Sequence, residues 1–200
     1  MNEGYIKFRS INQDKKFSEI LGFETLNIAR TKLHDLKLIG MYENGIGYGN
    51  ISLRQNTNSL LISGSATGHI RKLSIEKYAL VTQIDISQNK VFYQGMISPS
   101  SESMSHAVIY QALAVVKCVI HIHHKELHEY MKRNDYERTS EDLSYGTPEF
   151  ANNIVNLLNN QKQTRGVFVT PGHEEGVFAY GENVEEAMDE IMEIYKLVKL

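Results

Sequence analysis

Cys118-Val119-Ile120-His121-Ile122-His123 constrains the fold of this chain more than any other stretch, because two histidines stand two residues apart in a β-branched run. Such a run favours a strand, and residues i and i+2 of a strand point to the same face. The two imidazoles therefore share a face and can grip one cation. A third ligand has to come from elsewhere in the chain. His173 is best placed, in the turn Thr170-Pro171-Gly172-His173 between two apolar strand-like runs. Three imidazoles with one open position make a catalytic zinc-type site rather than a closed structural one.

Around this strand the apolar spacing alternates between helical and extended periods. Ile20, Leu21, Leu26, Ala29, Leu33 and Leu36 form a helical stripe over about 17–38 that ends before Gly40. Strands are expected at 49–53, 60–63, 78–86 and 90–94, with Ser87-Gln88-Asn89 as a tight turn that makes its neighbours antiparallel. Ser101 reads as the N-cap of a helix through Val115. Thr147-Pro148 opens another helix to about Asn159, N-cap followed by proline at the first helical position. Strands at 167–170 and 177–179 lead to a last helix, which Asn183 and Glu186 begin as a capping box. The expected fold class is α/β, with helices covering a largely antiparallel sheet.

The chain has 200 residues, 42% of them hydrophobic, enough to bury one sizeable core. A single domain spanning 1–200 is the expectation. A net charge of -3 and the lack of a long basic run argue against nucleic acid or an anionic membrane as partner, and favour a small molecule. Cys118 is the only cysteine, which excludes an intrachain disulfide and suits a reducing cytoplasm. The first residues lack the basic-then-apolar order of a signal peptide, and no apolar run approaches the ~20 residues that span a bilayer.

Gly49-Asn50-Ile51-Ser52, a Ser/Thr/Gly loop, Pro99-Ser100-Ser101-Glu102, His121-Ile122-His123 and a late Gly172-His173 follow one another in the order seen in the class II aldolase and adducin head family, which the chain resembles from about Gly47 onward. The resemblance implies a three-layer α/β/α domain, usually a homotetramer. It also implies a divalent metal, most often Zn2+, held by His121, His123 and His173, with Glu102 as acid/base. Asn50, the Ser65 to Gly68 loop, Ser100 and Ser101 correspond to phosphate and substrate contacts in the family. The loop Ile62-Ser63-Gly64-Ser65-Ala66-Thr67-Gly68 is longer than the family's usual turn.

The residue chemistry agrees with that assignment. Breaking a carbon–carbon bond beside a ketone goes through an enediolate, whose charge a divalent cation stabilises as a Lewis acid. A carboxylate such as Glu102 can move the proton, worth about 10²- to 10⁴-fold. Gly49 and its neighbours can turn tightly and bring N–H groups to an anion, while Ser65, Thr67, Gly68, Ser100 and Ser101 add hydroxyl and backbone donors. A sugar phosphate or a related hydroxy-carbonyl compound is the expected substrate. Glutamate rather than aspartate after Pro-Ser-Ser resembles the aldolases more than the epimerases. A related epimerase, dehydratase or decarboxylase, or a non-catalytic scaffold, remains the alternative.

Other residues carry competing readings. His124 and His128 stand i,i+4 on a helix and could pair on a metal, but a solvated helix face beside Lys125, Glu126 and Glu129 explains them as well. His106, one turn beyond Glu102, either orients it or is an ordinary half-buried histidine. Glu174 and Glu175 either fix an imidazole or solvate the turn. Family aldolases bring a tyrosine from a neighbouring subunit to protonate the leaving fragment, and Tyr130, Tyr136 and Tyr145 are the candidates in the polar stretch after the metal strand. The charged segment 125–142 is open to reading as a lid, a subunit contact or a solvated surface.

Overall fold

A computed structural model describes residues 5–17, 20–159 and 163–199. In chain order the elements are β1 (Arg9–Asn12), α1 (Phe23–Asp35), β2 (Gly40–Met41), β3 (Gly47–Tyr48), β4 (Asn50–Arg54), β5 (Leu60–Ser63), β6 (Tyr78–Asp85), β7 (Lys90–Gln94), α2 (Ser103–Ala112), β8 (Cys118–His123), α3 (Lys125–Arg133), α4 (Pro148–Asn159), β9 (Gly166–Val169), β10 (Gly176–Gly181) and α5 (Val184–Val198). Eight strands form one sheet in the order β1-β7-β6-β5-β4-β8-β10-β9, and β2 pairs with β3 in a separate ribbon. Every pairing in the large sheet is antiparallel except β1 with β7. Where the connections are short this is dictated, since a hairpin can join only antiparallel neighbours.

Helices cover both faces of the sheet, so the layers run α/β/α. One core joins Met104, Val108 and Ile109 of α2 and Phe150, Ile154 and Leu158 of α4 to Ile62, Val119, Phe178 and Tyr180. The other joins Leu26 and Leu33 of α1, Leu127 and Met131 of α3, and Ala187, Ile191 and Ile194 of α5 to Ile51, Cys118, Ile120, Ile122 and Val177. The strand period thus sorts β8 cleanly: Cys118, Ile120 and Ile122 lie on the α1/α3/α5 side, and Val119 lies on the side of His121 and His123.

Helix boundaries depart from the apolar stripes where backbone groups find other partners. The first helix begins at Phe23, not Phe17, because Gly22 at its N-cap takes the left-handed conformation; residues 18 and 19 of the expected span lie outside the described residues. It ends at Asp35 in a Schellman turn, with Lys37 left-handed, Lys37 N–H donating to His34 C=O and Leu38 N–H to Leu33 C=O. Helix α2 stops at Ala112, since Leu113 turns extended to lead into β8, and its N-cap position is Glu102, not Ser101. The strand expected from Gly49 starts at Asn50, because φ of Gly49 is +72°. A Cβ there would also stand 2.8 Å from the Ile39 side chain. By contrast α4 matches Thr147-Pro148, whose threonine hydroxyl accepts from the Phe150 N–H at 3.3 Å, and Asn183 accepts from Glu186 N–H at 2.9 Å to cap α5. The segment read as a lid, a subunit contact or a solvated surface is α3 followed by a strand-like bridge of Arg138 to Val169 at the sheet edge.

Candidate metal centre

Strand β8 lies between β4 and β10, with His121 opposite Asn50 and Phe178, and His123 opposite Gly176. His173 comes from the turn between β9 and β10, where His173 N–H donates to Thr170 C=O and Gly176 N–H to His173 C=O. This turn folds the third imidazole over the end of β8. One ligand atom from each of His121, His123 and His173 lies within 4.8 Å of the others, and all three residues are buried. The ring centroid of His173 stands 5.0 Å from that of His121 and 4.7 Å from that of His123.

Hydrogen bonds around the rings show that these residues fit a cation. His121 Nδ1 is 3.1 Å from the carbonyl of Val177, so it carries the proton and leaves a lone pair on Nε2. Tyr42 donates its hydroxyl to Glu175 Oε2 at 2.9 Å, and its oxygen, 2.9 Å from His123 Nδ1, accepts the proton there. His123 Nε2 is therefore also a lone pair. The two Nε2 atoms face each other at 3.0 Å. Two lone pairs at that distance repel, and a cation that both can bind removes the repulsion. Burial, and next the neighbouring imidazoles, hold His121 and His123 well below the usual histidine range, which keeps both neutral as ligands must be.

Glu102 lies buried beside this cluster. Its Oε1 is 3.3 Å from His173 Nδ1, and Ser105 Oγ donates to its Oε2 at 2.6 Å. No side-chain bond from Glu102 caps α2, so the carboxylate is turned to the histidines and not to the helix end. The residue that orients Glu102 is thus Ser105, three positions on. His106 instead meets Ser52 Oγ at 2.7 Å, in a network with the Tyr110 hydroxyl.

Gly49, Asn50, Ser65, Thr67, Gly68, Ser100 and Ser101 line one small cleft with Glu102 and the three histidines. Asn50 is 5% exposed and its Oδ1 has no hydrogen-bond partner among the described residues, although the side chain shares the face of His121. The loop after β5 bends at Ala66, whose φ is +57°. Gly68 packs so tightly on the β2–β3 ribbon that a Cβ would collide with the Gly40 carbonyl oxygen. Larger hollows exist; the mostly apolar one of about 810 Å³ around Phe17, Phe23 and Met96 shares no residue with the cleft.

The other expected residues are sorted by the same packing. His124 caps α3 by accepting from Leu127 N–H at 3.2 Å and lies against Tyr195, away from the cluster. His128 is buried next to Glu129, and His34 and His69 stand outside the cleft. Of the three tyrosines, only Tyr145 reaches the site, stacked on His173 with centroids 4.4 Å apart. Tyr130 and Tyr136 pack on each other and on the opposite core. Sequence reasoning did not find Tyr42 and Tyr48, because a two-residue strand and a turn leave no periodic signal. Of the two readings open for Glu175, the structure favours contact with an imidazole, made through the Tyr42 hydroxyl.

The profile of the Class II Aldolase and Adducin N-terminal domain matches residues 40–200. The chain belongs to that family. Its class II aldolases depend on a divalent metal, and among the described residues the three converging histidines could hold one. No curated protein matches the sequence closely enough to count as a relative. Solved structures share the fold: an L-fuculose 1-phosphate aldolase is 19% identical with a TM-score of 0.66, covering 88% of this chain and 82% of its own. The L-fuculose-1-phosphate aldolase of Thermus thermophilus is 16% identical, TM-score 0.65, with 88% and 90% covered. A sugar-phosphate aldolase from Thermotoga maritima is 18% identical, TM-score 0.62, with 88% and 90% covered.

Proposed function

We propose that this chain is a metal-dependent aldolase-type lyase acting on a small ketose phosphate or a related hydroxy-carbonyl compound. The observation that carries the reading is the pairing of three converging histidines with a buried carboxylate 3.3 Å from one of them. His121, His123 and His173 would hold the cation, Zn2+ by the all-nitrogen donor set. When bound, it supplies Lewis-acid stabilisation for negative charge on substrate oxygen. Ser105 holds Oε2 of Glu102, and Oε1, 3.3 Å from His173 Nδ1, is the oxygen on the histidine side that takes and returns the substrate proton. Asn50 turns an unsatisfied amide oxygen to the cleft, where a substrate hydroxyl can donate to it. Ser65, Thr67, Gly68, Ser100 and Ser101, with Gly49 shaping the floor, seat the anionic end. Tyr145 stacks on His173 with the Lys7 ammonium 3.9 Å from its ring centroid, and its place at the cleft makes it this chain's own candidate phenol.

We take the unit as one domain over 1–200, assembled as a homotetramer in the cytoplasm. Family membership supports the assembly, and the lone buried thiol of Cys118 supports the compartment. Among the described residues no helix is long and apolar enough to cross a membrane. The test is a retro-aldol screen of the Zn2+-loaded protein with ketose 1-phosphates and unphosphorylated hydroxy-ketoacids. Release of dihydroxyacetone phosphate or pyruvate is the expected result, and no carbon–carbon cleavage of any of them would defeat the aldolase reading.

A further inference from the structure

Arg30 is a charge with no carboxylate partner among the described residues. It projects from the middle of α1 and is 0% exposed, one of the largest fully buried side chains in the molecule. Its Nη2 donates to the Thr67 carbonyl at 2.9 Å, and its Nη1 donates to those of Ile70 at 2.7 Å and Arg71 at 3.0 Å. No acidic side chain among the described residues pairs with it; the neighbouring Asp35 is taken up by Arg71 at the surface. Burial lowers its pKa, but a guanidinium starts so high that it stays protonated. A buried cation held only by carbonyl dipoles is costly unless a negative charge comes near.

Of the three carbonyls it binds, that of Thr67 belongs to the cleft loop, and those of Ile70 and Arg71 to the segment that follows it. In the same loop the N–H groups of Ala66, Thr67 and Gly68 donate to no acceptor among the described residues, whereas those of Ser65 and Ile70 are used within the loop and its support. Ala66 is left-handed within this loop, the kind of turn that gathers successive N–H groups into an anion-binding concavity. Arg30 thus grips the loop at the Thr67 carbonyl oxygen and the segment after it at two more, and takes up none of the loop's amide hydrogens. The Thr67–Gly68 peptide therefore turns its negative end to the guanidinium and its N–H away from it, with a full positive charge behind.

We propose that Arg30 is the positioning residue that makes the 65–68 loop selective for an anionic group over a neutral hydroxyl. This rests on the reading that the loop contacts substrate. It goes beyond that reading by assigning the selectivity to a buried residue on α1 that touches no substrate atom. An anion seated there is the counter-ion that Arg30 lacks among the described residues.

Inorganic phosphate is the probe, titrated calorimetrically at constant ionic strength into wild type, Arg30→Lys and Arg30→Gln. Cobalt binding at the three histidines, measured in the same samples, reports whether each variant is folded around an intact site. Arg30→Gln keeps a donor for the loop but no charge, and should weaken phosphate by about tenfold or more with cobalt affinity unchanged. Arg30→Lys keeps the charge and should stay within about threefold of wild type. A role in loop shape alone predicts the same loss for both variants, because neither restores the three-carbonyl fork, and that result overturns the proposal. So does unchanged phosphate affinity in Arg30→Gln. Should Arg30→Gln fail to fold, Arg30→Lys alone decides, a loss beyond tenfold counting against the charge. Wild type that binds cobalt but no phosphate at tens of millimolar overturns this inference and spares the metal-site reading, whereas loss of cobalt binding in wild type defeats the reading itself.

Discussion

Two groups of buried histidine lie on the same side of the sheet and share a contact, Phe178, yet they do opposite things. His106 in α2 is fully buried, meets Ser52 Oγ at 2.7 Å, and through it joins the Tyr110 hydroxyl, which donates on to the Lys117 carbonyl. Burial pushes its pKa down to about 3. His121 is as buried and is also depressed, and it stacks on the same phenylalanine with centroids 4.2 Å apart. Perturbed basicity therefore does not separate a histidine bound into the framework from one placed to take a cation. Convergence does: around His121 and His123 the outer ring atoms are committed to Val177 and to the Tyr42–Glu175 pair, and what remains are lone pairs aimed at one another. Around His106 the hydrogen bonds run off into the framework.

Alanine substitution challenges this contrast most directly. His121→Ala, His123→Ala and His173→Ala should each lose metal by about 10³-fold or more, while His106→Ala and His124→Ala keep it, as competition titration with a chelator would show. Retention by His173→Ala would remove the hairpin turn from the site. Glu102→Gln should leave the fold and the metal content intact and lower turnover by about 10²- to 10⁴-fold. If Glu102 merely sat at the start of α2, the same variant would lose about 0.3 to 1 kcal/mol of stability and turn over normally. Exchange of the substrate α-proton with solvent, followed by NMR, distinguishes the two.

Tyr42→Phe probes the contrast one layer further out. Without the phenol, His123 can exchange tautomers, and metal affinity should fall about 10- to 100-fold with little change in melting temperature of the metal-free protein. A variant that binds metal like wild type would show that the Tyr42–Glu175 pair serves only to latch the β2–β3 turn. A weaker effect is expected in the pH dependence of stability. Between about pH 6.5 and about pH 3 the unfolded chain protonates His106 while the folded chain does not, so stability falls as pH falls, by about 1.4 kcal/mol per pH unit for each such group. His106→Gln should flatten that slope by one proton in metal-free protein. Parallel melting curves for variant and wild type across this window would show that His106 is protonated inside the fold.

Interactions of short range were legible from the order of residues. The shared face of His121 and His123 is a consequence of the two-residue strand period, and α4 and α5 begin where Thr147-Pro148 and Asn183 satisfy their own first turns. Each of these is settled within four residues of chain, so it can be read from four residues of sequence. Motif order extended this to Glu102, His173 and the cleft loops, which the fold does gather into one cleft. Long-range packing supplied the rest. The parallel pairing of β1 with β7, the Tyr42 hydroxyl on His123, the choice of Tyr145 over Tyr130 and Tyr136, and the grip of Arg30 on Thr67 all join residues far apart in the chain. Two-residue strands such as β2 and β3 are too short to show a period, and a buried arginine on an otherwise ordinary helix looks like a surface charge until the loop that covers it is in place. Such contacts depend on where three layers bring distant segments together, and no local pattern of residue types encodes that distance.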